Sequence, residues 1–485
     1  MKEKFLLKAD HNLPPLRRTE IRPEIGRQVM KRGDRLVIDL GNHYVGYFSF
    51  KLWWDDVYLD APVRITFRFL ETERELSDDF SAYNGTLCRS WLQDETVNVL
   101  GPGEVRLSRR YAARFVELTV DETPRNAVLS DFCFTAETSA DPERLLPCDI
   151  ADERFREIDR VAVNTLKNCM QRVYEDGPKR DRRLWIGDLR LEALTDYYTF
   201  RNLALVRRCL YLFAAADRNA AGFLPGYVFE DRMFVSGYWF LRDYSLMYVC
   251  TLCDYYANTD DIETFTELLP VARDMLAATA KLLDENGLLS EQRETFIDWC
   301  PGLEKRTAFN GIHLYTLSLF ISALKKAGLD ATEYELQLSA GRAAARKHLY
   351  NEELGTFQND YDKQQYSVHS AAWMVLGGVL SGEEARIVLR RVMADADSVK
   401  PFTPYMHHYA VDAMLSCGLR REAEDYMLKI WGGMLDRGAD TFFEAYVPED
   451  PDFSPYNDRM MNSMCHAWSC TPSYFIRKYG FGKNN

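Results

Sequence analysis

The side chains that could take part in a reaction are concentrated in one loop, which contains both acidic and basic residues. The segment Glu175–Asp188 reads EDGPKRDRRLWIGD and sets four cationic side chains among the aspartates Asp176, Asp181 and Asp188. Gly177-Pro178 predicts that a preceding helix ends there, because proline disfavours helical geometry in the residue before it. Asp188 stands before an apolar-periodic run, so it is predicted to be the N-cap of the next helix.

A loop of this composition is often only a solvated cluster of surface charge. Its other residues favour a site, since Trp185 and Ile186 are of the buried type and arginines beside carboxylates hold them fixed and ionised. Hydrolysis of a glycosidic bond uses such groups. One carboxylic acid protonates the leaving oxygen, and one ionised carboxylate activates water or attacks the sugar.

The second carboxylate is expected from another part of the chain, because one loop does not readily supply both. The candidate is Glu444 in Thr441-Phe-Phe-Glu444, behind two aromatic residues and after the helix stop at Gly438; the alternative is an exposed loop glutamate. Further side chains suit a sugar pocket, although about half of such aromatics are expected to be core residues. They are Trp239, Asp243, Asp298, Trp299, His369, Tyr405, His466 and Trp468.

Several classes of site and partner are excluded by pattern and composition. Adjacent His407 and His408 point apart and no HExxH spacing occurs, so no metal is expected. Neither GxxxxGK[ST] nor GxGxxG after a strand is present, and no cofactor is expected. A formal charge of -13 without a segregated basic face argues against nucleic acid. The sequence sets no oligomeric state.

Cysteine usage and hydropathy indicate the compartment. The 11 cysteines are odd in number and irregularly spaced, which favours free thiols in a reducing environment. The N-terminus has only a short apolar run before Lys8, too short for the core of a signal peptide, and no later segment is predicted to span a membrane. We therefore expect a cytoplasmic protein that does not contact a membrane.

The elements that must position these groups fall into two parts. Between about residues 35 and 135 the apolar pattern has period two, for example at Val63, Ile65, Phe67 and Phe69, which predicts an antiparallel β-sandwich. After Pro142 the period becomes helical. We predict a jelly-roll-like β-sandwich domain over 1–142 and an all-α (α/α)6 barrel over 143–485 as the catalytic domain.

About eleven helical stretches are predicted in the second part, one short of the twelve in such a barrel. The first begins at Asp152, and the others cover roughly 188–214, 239–257, 261–284, 308–327, 331–349, 367–380, 382–394, 405–417, 420–436 and 460–479. Long loops at one mouth of a barrel are where acidic and aromatic residues line a pocket.

Three motifs resemble those of the α-L-rhamnosidases of glycoside hydrolase family 78. The acidic loop is similar to the family pattern D-C-P-Q-R-E-R-x-x-W-x-G-D, with Asp176, Pro178, Arg180, Arg182, Trp185, Gly187 and Asp188 in register. Gly438-Ala-Asp-Thr-Phe-Phe-Glu444 is similar to G-A-T-T-x-W-E. The third motif, S-x-C-H-x-W-S-x-x-P-x-Y-F-L, is similar to the segment from Ser463 to Ile476. Their order along the helical region makes the resemblance more specific than any one motif.

The resemblance implies an inverting, exo-acting α-L-rhamnosidase that releases terminal L-rhamnose or a similar sugar. By position, Asp181 is the general acid and Glu444 the general base. The implied sugar-binding residues are Asp176, Arg180, Asp188 and His466, with Trp185 and other aromatics, among them Phe443, against the ring. This chain departs from the family in having Asp181 for the usual glutamate, Phe443 for tryptophan, and Gly177 and Lys179 for Cys and Gln. The small β-domain that often follows the barrel is not expected in this short, divergent member.

Two alternatives keep the same fold or the same pocket. The first is another (α/α)6-barrel enzyme acting on carbohydrate, such as a different exo-glycosidase or an unsaturated glucuronyl hydrolase. The second is a catalytically silent carbohydrate-binding protein, which is suggested by the aspartate at position 181.

Overall fold

The computed structural model describes residues 2–54, 61–230, 233–290, 293–361 and 363–483. An antiparallel β-sheet domain is followed by a helical domain, in the order that the sequence predicts. All eleven cysteines are free thiols.

The N-terminal domain is built on eight hydrogen-bonded strands. Its strands are β1 (Arg17–Ile21), β2 (Gln28–Met30), β3 (Arg35–Trp54), β4 (Val63–Leu70), β5 (Asp94–Val99), β6 (Gly103–Arg106), β7 (Tyr111–Glu122) and β8 (Ala127–Thr138). The strand order is β1-β8-β3-β7-β4-β5, with β2 paired to β8 and β6 to β3. All neighbours are antiparallel. The long strand β3 thus pairs with three other strands, β6, β7 and β8.

The predicted alternation is present in β4. Val63, Ile65, Phe67 and Phe69 are fully buried, and the intervening Arg64 is exposed. These side chains join an aromatic core on the inner face of the sheet, where Phe48 lies 5.9 Å from Phe67 between ring centroids. Period two predicted this domain because successive strand residues face opposite sides.

The helical domain begins with α2, and one further helix precedes the sheet. The helices are α1 (Lys2–His11), α2 (Glu153–Cys169), α3 (Ile186–Asp196), α4 (Leu203–Ala214), α5 (Arg242–Thr259), α6 (Ile262–Ala280), α7 (Arg306–Lys326), α8 (Thr332–Leu349), α9 (Val368–Leu376), α10 (Gly382–Ala394), α11 (Pro404–Ser416), α12 (Arg420–Met427), α13 (Gly433–Leu435) and α14 (Pro472–Tyr479). A π-helical turn, Leu428–Gly432, joins α12 to α13. Helix α1 lies outside the predicted helical region and packs on α4, where Arg208 donates to the Ala9 carbonyl.

Three helix boundaries differ from the prediction. The stretch 188–214 is two helices, α3 and α4, because Asp196 accepts the Asn202 backbone N–H at 2.7 Å and Asn202 caps α4. With α12 to α13 taken as one, the described part of the helical domain has twelve helices. The stretch predicted as one helix over 460–479 is helical only from Pro472, after 3₁₀ turns at Arg459–Met461 and Ala467–Cys470. Helix α2 ends at Cys169, well before Gly177-Pro178.

Small antiparallel sheets connect some of the helices. The first contains β9 (Leu184–Trp185), β10 (Tyr227–Phe229) and β11 (Val235–Ser236), and the second contains β12 (Tyr350–Asn351), β13 (Thr356–Asp360) and β14 (Lys363–Tyr366).

Among the described residues, helix α7 is long and apolar enough to cross a membrane by length and composition. However, 78% of its most apolar 18-residue segment is buried inside the protein. Burial of this kind is also found in the core helices of soluble proteins.

Candidate active site

The acidic loop and the late segment meet in one cavity of about 550 Å³ between the two domains. Its acidic and basic lining residues are Asp176, Arg180, Asp181, Arg183, Asp188, Asp298, Lys305, Glu444 and His466. Its aromatic lining residues are Trp91, Trp185, Tyr227, Tyr238, Trp239, Tyr244, Phe296, Trp299, Tyr456 and Trp468. The two predicted motifs are therefore brought together from opposite ends of the helical domain's sequence.

The loop between α2 and β9 is tied down along its length. Glu175 pairs with Arg110 of the sheet domain at 2.7 Å, and the Arg182 guanidinium donates to the Pro178 and Arg110 carbonyls. Asp181 and Arg182 both have left-handed backbone conformations, with φ of 63° and 53°. Such conformations cost energy in residues other than glycine, and they are retained where surrounding contacts fix them, as at functional sites.

Glu444 is buried and held in its ionised form. Arg180 Nη2 donates to both carboxylate oxygens, at 2.7 and 2.6 Å, and the Tyr456 hydroxyl and the Ser463 backbone N–H donate as well. Burial alone would raise the pKa of Glu444, but the Arg180 charge and these hydrogen bonds lower it to about 2. The side chain is thus a carboxylate that is ready to accept a proton.

Asp176 and Asp188 lie in the same cavity as Glu444, but their pKa values are raised instead of lowered. Burial raises the pKa of Asp176 well above its usual value, and the negative charges of Asp181 and Asp188 act in the same direction. Burial also raises the pKa of Asp188, whose Oδ1 has no hydrogen-bond partner among the described residues. The pKa of each of these two carboxyl groups is thus shifted towards the protonated form, in which a carboxyl group can donate a hydrogen bond to a hydroxyl group.

Asp188 is not the N-cap that the sequence predicts. Helix α3 begins at Ile186 with Trp185 as its cap, so Asp188 lies inside the first turn. The Ile186 backbone N–H donates to the Gly226 carbonyl at 2.9 Å, which starts the helix early. In this position Asp188 lines the cavity.

Asp181 is the least constrained acid of the cavity. Its side chain is 15% exposed and forms ion pairs with Arg180 Nη1 at 3.4 Å and Arg183 Nη1 at 3.7 Å. Because Arg180 binds Glu444 through its other terminal nitrogen, Asp181 and Glu444 flank the same guanidinium group. The predicted acid and base are thus neighbours in one cavity.

His466 lies between two of these carboxyl groups. Its Nδ1 is 3.5 Å from Asp188 Oδ1, and its Nε2 is 3.9 Å from Glu444 Oε1. Burial lowers the pKa of His466 to about 3, so the ring is neutral near pH 7. A neutral imidazole offers one donor and one acceptor, which suits a contact with a sugar hydroxyl.

Aromatic rings form the wall beside Asp188. Antiparallel pairing of β9 with β10 sets Trp185 opposite Tyr227, with ring centroids 4.5 Å apart. Trp239 lies 6.2 Å from Trp185, and Trp299 lines the far side next to Phe296. Three tryptophans that the sequence predicts for a sugar pocket therefore line this cavity: Trp185, Trp239 and Trp299.

Two predicted binding residues have other partners. Asp298 reaches the cavity wall, but His369, Thr403 and the Phe402 backbone donate to its carboxylate. Burial would raise the pKa of Asp298, and these hydrogen bonds lower it instead. Asp243 accepts the backbone N–H groups of Phe296 and Ile297 and supports that loop.

Phe443 also differs from the expectation of direct sugar contact, whereas Arg180 lines the cavity. Phe443 does not line the cavity and instead borders a separate crevice beside Tyr446 and Phe453. Successive residues of an extended segment face opposite sides, so Phe443 turns away where Glu444 faces in. The Arg180 guanidinium is occupied by Glu444, Tyr456 and the Met461 carbonyl.

Residues that sequence reasoning missed come from distant segments. Tyr456 binds both Glu444 and Arg180, and its ring lies 4.4 Å from the Arg180 guanidinium carbon. Leu87 and Trp91 of the sheet domain line the cavity mouth. No local motif marks these residues, because their proximity to the site is set by tertiary packing alone.

A buried charge cluster joins the sheet domain to the catalytic segments. Lys179 donates to Glu75 Oε1 at 2.7 Å and lies 3.7 Å from Glu71 Oε2. The other contacts of Glu71 are His43 Nε2 at 3.1 Å and the Met464 backbone N–H at 2.6 Å. Glu71 thus contacts the chain neighbours of both Arg180 and Ser463, two of the groups that donate hydrogen bonds to Glu444.

Two family models match the chain. Residues 15–133 match the glycosyl hydrolase family 78 alpha-rhamnosidase N-terminal domain, and residues 148–479 match the bacterial alpha-L-rhamnosidase 6 hairpin glycosidase domain. A comparison with curated proteins found no match.

Several solved structures are similar over nearly the whole chain. A rhamnosidase from Klebsiella oxytoca with rhamnose bound is 37% identical, with a TM-score of 0.94 and 99% of each chain covered. A family 78 rhamnosidase of Bacillus sp. GL1 is 21% identical with a TM-score of 0.81, and this chain covers 48% of it. An α-L-rhamnosidase of Streptomyces avermitilis complexed with L-rhamnose is 17% identical with a TM-score of 0.73, and 44% of it is covered. The last two share the fold and are about twice as long.

Proposed function

Because this chain belongs to the α-L-rhamnosidases of glycoside hydrolase family 78 and is a glycosyl hydrolase, we propose that it is an exo-acting, inverting α-L-rhamnosidase. Its substrate is proposed to be a glycoside or polysaccharide with a terminal L-rhamnose or a similar sugar. The observation that carries the proposal is the arrangement of Asp181 and Glu444 on either side of Arg180. Glycoside hydrolysis needs one acid and one base in a single pocket.

In this mechanism Glu444 is the general base. Its low pKa keeps it ionised, and it removes a proton from the water that attacks the anomeric carbon. Asp181 donates a proton to the glycosidic oxygen as the bond to the leaving group breaks. Attack by water on the face opposite the leaving group inverts the anomeric configuration.

The other buried groups bind the sugar. Asp176 and Asp188 form hydrogen bonds with sugar hydroxyl groups, and neutral His466 provides a further contact. The Trp185 ring packs against an apolar face of the sugar, as aromatic rings do in carbohydrate sites. Arg180 fixes Glu444 in place and keeps it ionised.

We further propose the finer architecture. The twelve helices of the described helical domain would close into an (α/α)6 barrel, and the continuous sheet would fold over as a sandwich, with the domain boundary near Pro142. The strands enclose a common core cluster, which supports a folded sheet. Cytoplasmic location and the lack of a metal or cofactor requirement remain part of the proposal.

The substrate and mechanism are tested by one assay series. The purified protein is incubated with 4-nitrophenyl α-L-rhamnopyranoside and with the corresponding α-L-fucoside, α-D-mannoside and β-D-glucuronide. We expect rhamnoside hydrolysis alone, and proton NMR of the first product should show β-L-rhamnose. Hydrolysis of another glycoside with the rhamnoside untouched would refute the substrate, and α-L-rhamnose as first product would refute inversion.

A further inference from the structure

Four arginines gather where the sheet domain meets the acidic loop. Arg106 ends β6, and Arg109 and Arg110 precede β7 in the same turn. Arg182 belongs to the acidic loop, and its guanidinium group donates to the Arg110 carbonyl at 2.7 Å. None of these four side chains, the arginine cluster, lines the catalytic cavity. The cluster therefore joins the two domains outside the candidate active site.

The charged groups of the cluster are close enough to repel one another. Burial and the positive charges of Arg110 and Arg109 lower the pKa of Arg182 to about 10. The Arg106 guanidinium carbon lies 5.2 Å from the centroid of the Tyr47 ring, and the Tyr47 hydroxyl interacts electrostatically with Arg110 and Arg182. Like charges placed together cost free energy unless an opposite charge joins them.

Carboxylates compensate this charge only in part. Arg110 pairs with Glu175 at 2.7 Å. Glu95 accepts a hydrogen bond from the Tyr111 hydroxyl, beside Arg109. In the described part of the chain the other three arginines of the cluster form no ion pair. Four guanidinium groups thus face two carboxylates, and two positive charges are not neutralised.

Acids farther out do not supply the missing charge. Glu137 and Glu230 act on this region electrostatically, but each already has a cationic partner, Arg18 and Arg208 respectively. The whole chain carries a formal charge of -13, so the positive excess is a local feature of the arginine cluster. An excess of this kind attracts anions from solvent.

The cluster also retains N–H donors that solvent can reach. A guanidinium group has five N–H donors. Arg109 donates to the Leu92 and Ser90 carbonyls, Arg182 donates to two carbonyls, and Arg106 forms no hydrogen bond among the described residues. Arg106 is exposed and the other three arginines are partly exposed. The remaining donors are therefore available to a ligand.

We propose that the arginine cluster binds a phosphate group, either as the free ion or as a phosphate monoester. A phosphate dianion would neutralise the two remaining positive charges, whereas a single carboxylate would leave one of them. Guanidinium groups bind phosphate oxygens through paired N–H donors. Bound phosphate links the turn between β6 and β7 to the acidic loop, so it stabilises the contact between the two domains.

Calorimetric titration with inorganic phosphate and with glycerol 3-phosphate tests the site, at constant ionic strength and with chloride as the background anion. Binding of inorganic phosphate assigns the free ion, and binding of glycerol 3-phosphate alone assigns the ester. Arg106→Gln and Arg109→Gln should each weaken binding of that probe roughly tenfold, because each removes a charged donor. No glycoside is used, so the result does not depend on the proposed rhamnosidase activity.

A matched control separates the cluster from the catalytic cavity. Arg183 follows Arg182 in the chain but lines the cavity, so Arg183→Gln should bind phosphate with wild-type affinity. Phosphate should raise the melting temperature of wild-type protein and not that of the Arg106→Gln/Arg109→Gln double variant. No binding of either probe, or wild-type affinity in the double variant, would overturn the site. Loss of binding in Arg183→Gln alone would place the anion in the cavity and overturn it as well.

Discussion

The two segments that supply the proposed acid and base are built differently. Glu444 in the late segment is buried and receives hydrogen bonds from Arg180, Tyr456 and the Ser463 backbone. Asp181 in the acidic loop is partly exposed, lies on left-handed backbone and has only longer ion pairs. The base is therefore preorganised before substrate binds, whereas the position of the acid depends on the conformation of its loop.

This difference identifies where catalysis is sensitive to mutation. A preorganised carboxylate does its work without reorganisation during the reaction. The proposed proton donor, by contrast, shares the cavity with two further carboxyl groups, Asp176 and Asp188. Variants at each position therefore test the comparison directly.

Loss of the base should have the largest effect. Glu444→Gln keeps the shape of the side chain but cannot accept the proton from water, so kcat should fall on the order of 10³-fold. Steady-state hydrolysis of 4-nitrophenyl α-L-rhamnopyranoside measures this. Glu449→Gln, at an exposed glutamate nearby, should retain wild-type turnover. Equal turnover in both variants would remove Glu444 from the mechanism.

Loss of the acid should depend on the leaving group. Asp181→Asn should lower kcat on the order of 10²-fold for an alkyl rhamnoside, and much less for the 4-nitrophenyl rhamnoside, whose leaving group needs little protonation. Asp188→Asn should affect both substrates equally, because it binds the sugar. If the effect of Asp188→Asn depends on the leaving group and that of Asp181→Asn does not, the proton donor is Asp188 and not Asp181.

The sequence predicted those parts of the fold and site that depend on local pattern. Period-two alternation marked β4, and motif spacing selected both Asp181 and Glu444. The pattern could not separate α3 from α4, because the apolar residues Tyr197 and Phe200 continue it through the break and stay buried. The break is set by the hydrogen bond between Asp196 and Asn202, which periodicity does not reveal.

The features of the site that the sequence did not predict depend on contacts between residues that are far apart in the chain. The resemblance implies that Arg180 binds the sugar, but it does not show that Arg180 also donates hydrogen bonds to Glu444, 264 residues away. Phe443 has a type suited to sugar binding, but composition does not say which side of the segment faces the cavity. Trp91 and Tyr456 carry no motif, and only tertiary packing brings them to the site.

The buried charge cluster behind Glu444 should have an intermediate effect. Lys179→Met leaves Glu71 and Glu75 without their cation and lets the segments that hold Glu444 shift, so kcat should fall about tenfold with KM little changed. Lys179→Arg should recover most of the rate. A melting temperature that falls while kcat remains at the wild-type value would show that the cluster stabilises the domain interface without positioning the base.

Removal of one hydrogen-bond donor to Glu444 should have the smallest effect on activity near neutral pH, and this effect should depend on pH. Tyr456→Phe deletes a hydrogen bond that favours the carboxylate, so the pKa of Glu444 rises from about 2. Since the base must be ionised, activity is lost at higher pH than in wild-type protein as the pH falls. The ratio of variant to wild-type kcat/KM should decrease between pH 5 and pH 3, with folding checked by circular dichroism. Tyr198→Phe, outside the cavity lining, should give a ratio near one throughout. A ratio for Tyr456→Phe that does not change with pH would mean that Tyr456 does not act through the charge of Glu444.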